Sequence, residues 1–338
     1  MKRITASVVG LGYWGPNLAR NFHASEDYRL VALCDTNPAR LAKAGENYPW
    51  AKRYSSLTLL LEEEQPDLVA IASPVDSHYV LAKAALEAGA HVLCEKPLAR
   101  TVAQASELVE TAARVGRQLF VDHSFIYTGA VRLLRELYRT KELGELFYID
   151  SVRVNLGLFQ PDIDVIWDLA PHDVSIVDYI LGRKVRRVSA TGSSHNPRGT
   201  MDVAYLSLEY EDGLDAHLHL SWLSPVKIRR MIYSGTLSSA IYDDLEPSEK
   251  VKVYEHGVDF EVSDLEARKQ VLVNYRRGDM RAPAVDNKEA LSVQVREIAD
   301  AIRGGASAPA MGEAGLHVVR VLDAATRSVA EGGVRIDV

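Results

Sequence analysis

Three groups of residues in this 338-residue chain have the types and spacing to do chemistry. The first is Gly10-Leu11-Gly12-Tyr13-Trp14-Gly15, a G-x-G-x-x-G run that closes the apolar stretch Ile4–Val9 and opens a helical pattern. Gly10 permits a tight turn, Gly12 lets a pyrophosphate approach bare backbone, and Gly15 lets the helix pack close to the sheet. The helix N-terminus adds unpaired N–H groups and a partial positive charge for phosphate. A second apolar run, Arg29–Cys34, ends in Asp35, whose carboxylate can accept both ribose hydroxyls of an adenine dinucleotide. A tight βα turn that binds nothing is the alternative; strand, glycines, helix, strand and acid in this order favour the dinucleotide. The second group is Glu95-Lys96-Pro97, at the carboxyl end of a predicted parallel strand, where ligands bind in open α/β sheets. The third is Asp168 with His172. Four residues apart, they share a face if both are helical. Proline fits a helix only within the first turn, so Pro171 leaves Asp168 equally readable as an N-cap.

These groups need a frame to position them. Residues 1–122 alternate short apolar runs with helical patterns. Strands are expected at Ile4–Val9, Leu30–Cys34, Leu68–Ala72, His91–Cys94 and Gln118–Val121. Helices are expected at Pro16–Ala24, from Pro38 to about Asn47, from Ser55 to before Pro66, over His78–Ala88, and from a capping box at Thr101–Gln104 to about Val115. That is an α/β, doubly wound parallel sheet. After the helical stretch Ala130–Tyr138 the period changes to two: Tyr148–Val154, Val185–Thr191, Val203–Tyr210, Leu214–Trp222, Lys227–Ser234, Ser239–Asp243 and Val251–Tyr254. Such runs predict an α+β domain with a large, open, mostly antiparallel sheet. His256–Lys288 reads as a long loop with a strand piece near Val271–Val273, and two helices, about 288–303 and 313–331, close the chain. The expected division is 1–122 for the dinucleotide and 123–338 for substrate and oligomerisation.

Composition removes several classes. With 47% hydrophobic and 25% charged residues the chain reads as an ordinary globular protein. A net charge of −7 without a dense basic run disfavours nucleic acid. No apolar run approaches the ~18 residues of a membrane span, and the opening Met1-Lys2-Arg3 leads straight into a strand, so a cytoplasmic enzyme is expected. Cys34 and Cys94 read as reduced core residues. His217 and His219 alternate on one strand face without a third ligand, so no metal is expected.

Four stretches together resemble the glucose–fructose oxidoreductase/inositol dehydrogenase (Gfo/Idh/MocA) family: Val9–Gly15; Ala72-Ser73-Pro74 with Ser77-His78; Gly89–Pro97, ending Glu95-Lys96-Pro97; and Trp167–Asp173. The resemblance implies a Rossmann domain, a second domain with an open mixed sheet, NAD(P)-dependent alcohol/ketone chemistry on sugars or cyclitols, and homodimers or homotetramers formed through that sheet's outer face. It implies cofactor contacts from Gly10, Gly12, Tyr13, Trp14, Gly15, Asp35, Ser73, Pro74, His78, Glu95, Lys96 and Pro97, and a cis bond before Pro97. Lys96 would meet the substrate hydroxyl, His172 would act as base, and Asp168 would stand beside it. His123, Tyr127, Arg153 and Asn155 are further substrate candidates, with Asp164 near His172; Asp173 is expected to face solvent or a neighbouring domain. Ala170-Pro171 departs from the glycine of many relatives, which suggests a sub-family.

Asp35 would repel the 2′-phosphate of NADP, so NAD is the expected cofactor; Arg40 is the next basic residue. The Arg153–Gly157 and Trp167–Asp173 segments look like those of members oxidising nucleotide-linked amino sugars, such as a UDP-N-acetylhexosamine at carbon 3. Arg153, Lys227, Arg229 and Arg230 are available for a diphosphate. A free cyclitol or monosaccharide is the alternative substrate. An NAD-binding sensor without turnover is the alternative class, and the joint presence of Lys96, Asp168 and His172 argues against it.

Overall fold

The computed structural model describes every residue except 1, 158, 160, 161, 256, 262–271, 277 and 306. It has two compact units, residues 1–127 with 288–323, and residues 128–287 with 324–338.

The first unit runs β1 Ile4–Val9, α1 Gly15–Ala24, β2 Tyr28–Cys34, α2 Pro38–Asn47, β3 Lys52–Tyr54, α3 Leu57–Glu64, β4 Leu68–Ile71, α4 Val75–Glu87, β5 His91–Cys94, α5 Val102–Arg114 and β6 Leu119–Val121. All six strands are parallel, in the order β3-β2-β1-β4-β5-β6, the doubly wound dinucleotide-binding order. β3 is short and begins on exposed charged residues, so its apolar signal is weak. Local chemistry sets the helix starts. Asn37 caps α2 by accepting from Ala39 N and Arg40 N, with Pro38 at the first position, and Thr101 caps α5 by accepting from Gln104 N at 3.2 Å.

The second unit begins with α6 Gly129–Arg139, β7 Leu146–Leu156 and α7 Val165–Leu181. It continues with β8 Val185–Ser193, β9 Val203–Tyr210, β10 Asp215–Ser221, β11 Leu223–Gly235, β12 Ser239–Asp243, β13 Val251–Tyr254, β14 Gly257–Glu261, β15 Leu272–Arg276 and β16 Met280–Arg281. The chain ends with α8 Ala290–Ile302, α9 Gly312–Ala330 and β17 Ile336–Asp337. Nine strands form one sheet, ordered β16-β13-β12-β11-β7-β10-β9-β8-β17; β7 and β10 are parallel and the other pairs antiparallel. Ala204, Leu206, Leu208 and Tyr210 of β9 point inward while Tyr205, Ser207 and Glu209 point out, and α7 packs on the inner face over β9 and β10. The expected long loop 256–288 contains a separate β14–β15 hairpin; residue 271 of the expected strand piece lies outside the described residues.

The domain division differs from the sequence expectation. Splitting at 122/123 assigns both closing helices to the second domain, whereas α8 belongs to the first unit. Leu291, Val295 and Ile298 of α8 join the core built on β1 and β2, Tyr28 Oη donates to Val295 O at 2.7 Å, and Arg303 pairs with Asp27 at 2.6 Å. An amphipathic helix does not state which apolar surface it will cover, so this pairing of distant segments was not readable from the pattern.

Candidate active-site residues

The glycine turn carries a different constraint at each glycine. Gly10 has φ +90°, and a Cβ there would lie 2.6 Å from the Ala72 carbonyl carbon. A Cβ on Gly15 would lie 1.8 Å from Gly10 O, so that position admits glycine alone. Gly12 is open: the nearest described atom to a Cβ there is Arg40 Nη1 at 3.8 Å. An open, Cβ-free position before the N-terminus of α1 fits a pyrophosphate. Asp35 is buried at the end of β2; its Oδ2 accepts from Leu11 N and its Oδ1 from Asn37 N, each at 2.7 Å. Those bonds aim the carboxylate at the turn, the place an adenosine ribose takes in this fold. Arg40 bends back from α2 to within 3.7 Å of Asp35 Oδ2. Tyr13 is 91% exposed, and Trp14 sits half-buried at the start of α1.

Lys96 follows β5, and the Lys96–Pro97 bond is cis. Two contacts shape this turn. Lys96 N donates to Glu95 Oε2 at 2.9 Å, and the buried His78 ring lies 2.9 Å from Pro97 O and 2.8 Å from Ser73 O. His78 therefore ties the β4–α4 turn, with Ser73 and Pro74, to the Glu95–Pro97 turn. Its ring is engaged with carbonyls, so the expected cofactor contact gives way to bracing.

In the second unit α7 settles the Asp168–His172 relation. Asp164, not Asp168, is the N-cap, accepting from Trp167 N at 3.0 Å, and Pro171 lies inside the helix. Asp168 and half-buried His172 are thus one turn apart on one face. The Asp168 carboxylate accepts from the indole of Trp222 at 3.1 Å. Asn155, half-buried near the end of β7, lies by the same indole: a Cβ on Gly157 would meet Asn155 Nδ2 at 3.1 Å and Trp222 Cδ1 at 3.0 Å.

Four expectations need correction. Arg153 is not a substrate cation: it is 4% exposed and ion-paired at 2.6 Å with Asp173, which is itself fully buried instead of facing solvent. A charge inside the sheet–helix layer persists only when paired, and β7 and α7 supply the partners. His123 and Tyr127, each 1% exposed, are packed into the interior, where burial holds the His123 imidazole down at about 3, hence neutral. Arg229 pairs with Asp244 and Arg230 with Asp243, so of the four cations considered for a diphosphate only Lys227 has no ion pair among the described residues.

Sequence reasoning missed Asp122 and Trp222. Asp122 follows β6 as Asp35 follows β2, so the strand-end rule applied to every acid would have found it. Trp222 closes an alternating run and carries no signal of its own. Among the described residues no group of three or more potential ligands suits a metal ion, and no helix is long and apolar enough to cross a membrane.

The doubly wound sheet, the glycine turn and the buried strand-end acid define an NAD-binding oxidoreductase. Residues 4–123 match the family model described as oxidoreductase family, NAD-binding Rossmann fold, and residues 131–240 match the GFO/IDH/MocA C-terminal domain. The chain belongs to the Gfo/Idh/MocA oxidoreductases. It is similar to a D-apiose dehydrogenase of Paraburkholderia graminis, at 28% identity over 66% of this chain and 62% of that one. It also matches the uncharacterized oxidoreductase YrbE of Bacillus subtilis at 25% identity, over 98% of this chain and 96% of that one. Among solved structures, UDP-N-acetylglucosamine 3-dehydrogenase from Acidithiobacillus ferrooxidans superposes with a TM-score of 0.80 at 24% identity, over 98% of this chain and 99% of that one. An inositol dehydrogenase homolog from Azotobacter vinelandii, complexed with NADH and myo-inositol, gives 0.81 at 21% identity, over 100% and 98%. At these identities the two structures share the fold.

Proposed function

We propose that this protein oxidises a secondary hydroxyl of a sugar, with a UDP-N-acetylhexosamine at carbon 3 as the first substrate to test. Bound NAD supplies the hydride acceptor. His172 takes the hydroxyl proton, and the Lys96 ammonium offsets the charge that develops on the oxygen. Asp168, held by Trp222, stabilises the imidazolium that His172 becomes. The observation that carries this reading is the unbroken α7, which sets Asp168 one turn before His172 despite Pro171. The 3-dehydrogenase neighbour supports the nucleotide sugar, and the myo-inositol complex supports a cyclitol as second reading. Reduced-cofactor absorbance with NAD and a panel of nucleotide sugars, cyclitols and monosaccharides decides. Highest kcat/KM on the UDP-sugar is the expected result. Preference for inositol overturns the substrate, and NAD binding without turnover on any of them makes the protein a sensor.

The same reading includes a homodimer or homotetramer joined through the outer face of the nine-stranded sheet. Tyr205, 54% exposed and stacked on His219 at 4.5 Å, and half-buried Ile232 and Ile241 give that face its apolar content. Light scattering on the wild type and Tyr205→Glu tests it: an oligomer that the charge drives apart is expected, and a monomeric wild type overturns it.

A further inference from the structure

The strand register puts two acids side by side. β5 and β6 pair as Val92↔Leu119, Leu93↔Phe120 and Cys94↔Val121, so the next positions along the parallel pair are Glu95 and Asp122. Aligned residues of neighbouring strands point to the same side, ~4.8 Å apart. Asp122 Oδ1 is buried without a hydrogen-bond partner among the described residues, and Glu95 is its neighbour across the strand pair. Two ionised carboxylates cannot hydrogen-bond to each other; for the pair to do so one must carry the proton. Asp122 Oδ2 also accepts from the Trp14 indole at 2.5 Å, and Asp122 is 1% exposed. Trp14 belongs to the glycine turn at the start of α1.

We propose that Glu95 and Asp122 share a single proton and that this proton-bridged pair positions the cofactor turn through Trp14, so that NAD binding requires the pair to be protonated. The donors assign the proton. Burial raises both carboxyls; on Asp122 the Trp14 donor works against that rise, whereas on Glu95 the Asp122 charge adds to it and pushes the group well above the usual carboxylate range, so Glu95 holds the proton. Among the groups around the pair, Lys96 is the cation both carboxyls feel. His123 is neutral, and the buried Cys94 thiol is pushed up and stays protonated; the neutral Gln294 of α8 is buried. When the proton leaves, two adjacent anions repel, Asp122 shifts, and Trp14 with the turn loses its anchor. Glu95 and Asp122 are positioning residues; nothing here asks them to touch the reacting atoms.

The sign follows from linkage. The proton is held in the state that binds NAD, so affinity is full below the raised pKa of the pair and falls as pH climbs through it, by up to ~tenfold in Kd per pH unit. The experiment is NAD titration by protein fluorescence from pH 6 to 10, with calorimetry in buffers of different ionisation heat. Expected results are a rising alkaline limb, uptake of one proton on binding along that limb, and a single Kd across the range for Glu95→Gln, whose amide donates to Asp122 at any pH. Trp14→Phe should bind weakly throughout without the limb, which covers the case that Glu95→Gln does not fold. A wild-type Kd flat with pH, or a Trp14→Phe protein that keeps the alkaline limb, overturns the proposal.

Discussion

Two carboxylates, one in each unit, are fixed in different ways. Asp35 is held by two backbone amides, one two residues away and one from the glycine turn of the neighbouring strand, both at 2.7 Å. Asp168 is held by the indole of Trp222, 54 residues away, at 3.1 Å. The first arrangement is built by a contiguous strand–turn–helix–strand segment, and its geometry follows from backbone rules. The second exists only after α7 has docked on the nine-stranded sheet. The dinucleotide half of the protein is therefore written in local sequence, and the acid–base half in tertiary packing.

Removing the acting groups should give the largest effects. Lys96→Met is expected to lower turnover by ~10²–10⁴-fold while NAD Kd stays within a few-fold, measured by steady-state kinetics beside cofactor titration. His172→Ala should cost a similar factor and abolish the neutral-range limb of the pH–rate profile; a retained limb names another base. If either variant weakens NAD binding as much as turnover, the separation of roles fails.

The second unit's dependence on packing predicts the next effect. Arg153→Met leaves Asp173 buried and uncompensated beside His172, and breaking a buried pair in this way costs about 3–5 kcal/mol. Urea unfolding should show that loss in the second unit, while NAD binding by the first persists. A loss under 1 kcal/mol would mean that the pair is hydrated in solution.

Asp35→Ser probes the first unit. At about 2–3 kcal/mol of repulsion against a 2′-phosphate, the wild type should prefer NAD over NADP by ~30–150-fold, and the serine should shrink that preference mainly by gaining NADP. Arg40, already 3.7 Å from the carboxylate, supplies the cation that the relieved phosphate would meet. Equal Kd values for both cofactors in the wild type would mean that Asp35 faces away from the ribose.

The same contrast accounts for what the sequence disclosed. The parallel strands other than β3, the caps Asn37 and Thr101, and the separate tasks of Gly10, Gly12 and Gly15 were readable because each follows from neighbours in the chain. In the second unit the alternating strands were readable too, with Ser239–Asp243 and Val251–Tyr254 matching residue for residue. What failed was partnership. Arg153 looked like a ligand cation because its acid lies 20 residues on, in a helix that periodicity cannot dock. Tyr127 and His123 were substrate candidates by resemblance, and their burial at 1% exposure depends on packing that the local pattern does not state. α8 was given to the wrong unit because the acceptor for Tyr28 lies 267 residues away. Pro171 misled in another way: local propensity disfavours it inside a helix, and the packing of α7 overrides a cost of about 3 kcal/mol.

The smallest effect belongs to the bond that distinguishes the two carboxylates. Trp222 is 1% exposed, packs edge-on against Phe159 at 5.4 Å, and its side chain donates through the indole nitrogen to Asp168. Trp222→Phe keeps an aromatic ring in place and deletes that donor. A hydrogen bond to a charged group is worth about 1.5 kcal/mol at its lower end, so kcat should fall about tenfold. The asparagine at 168 gives the control, since Asp168→Asn removes the charge that the indole serves. If Trp222 acts through Asp168, the double variant should be no slower than Asp168→Asn alone. Additive losses would show that Trp222 contributes by packing, and the second carboxylate would then be held, like the first, by its own neighbours in the chain.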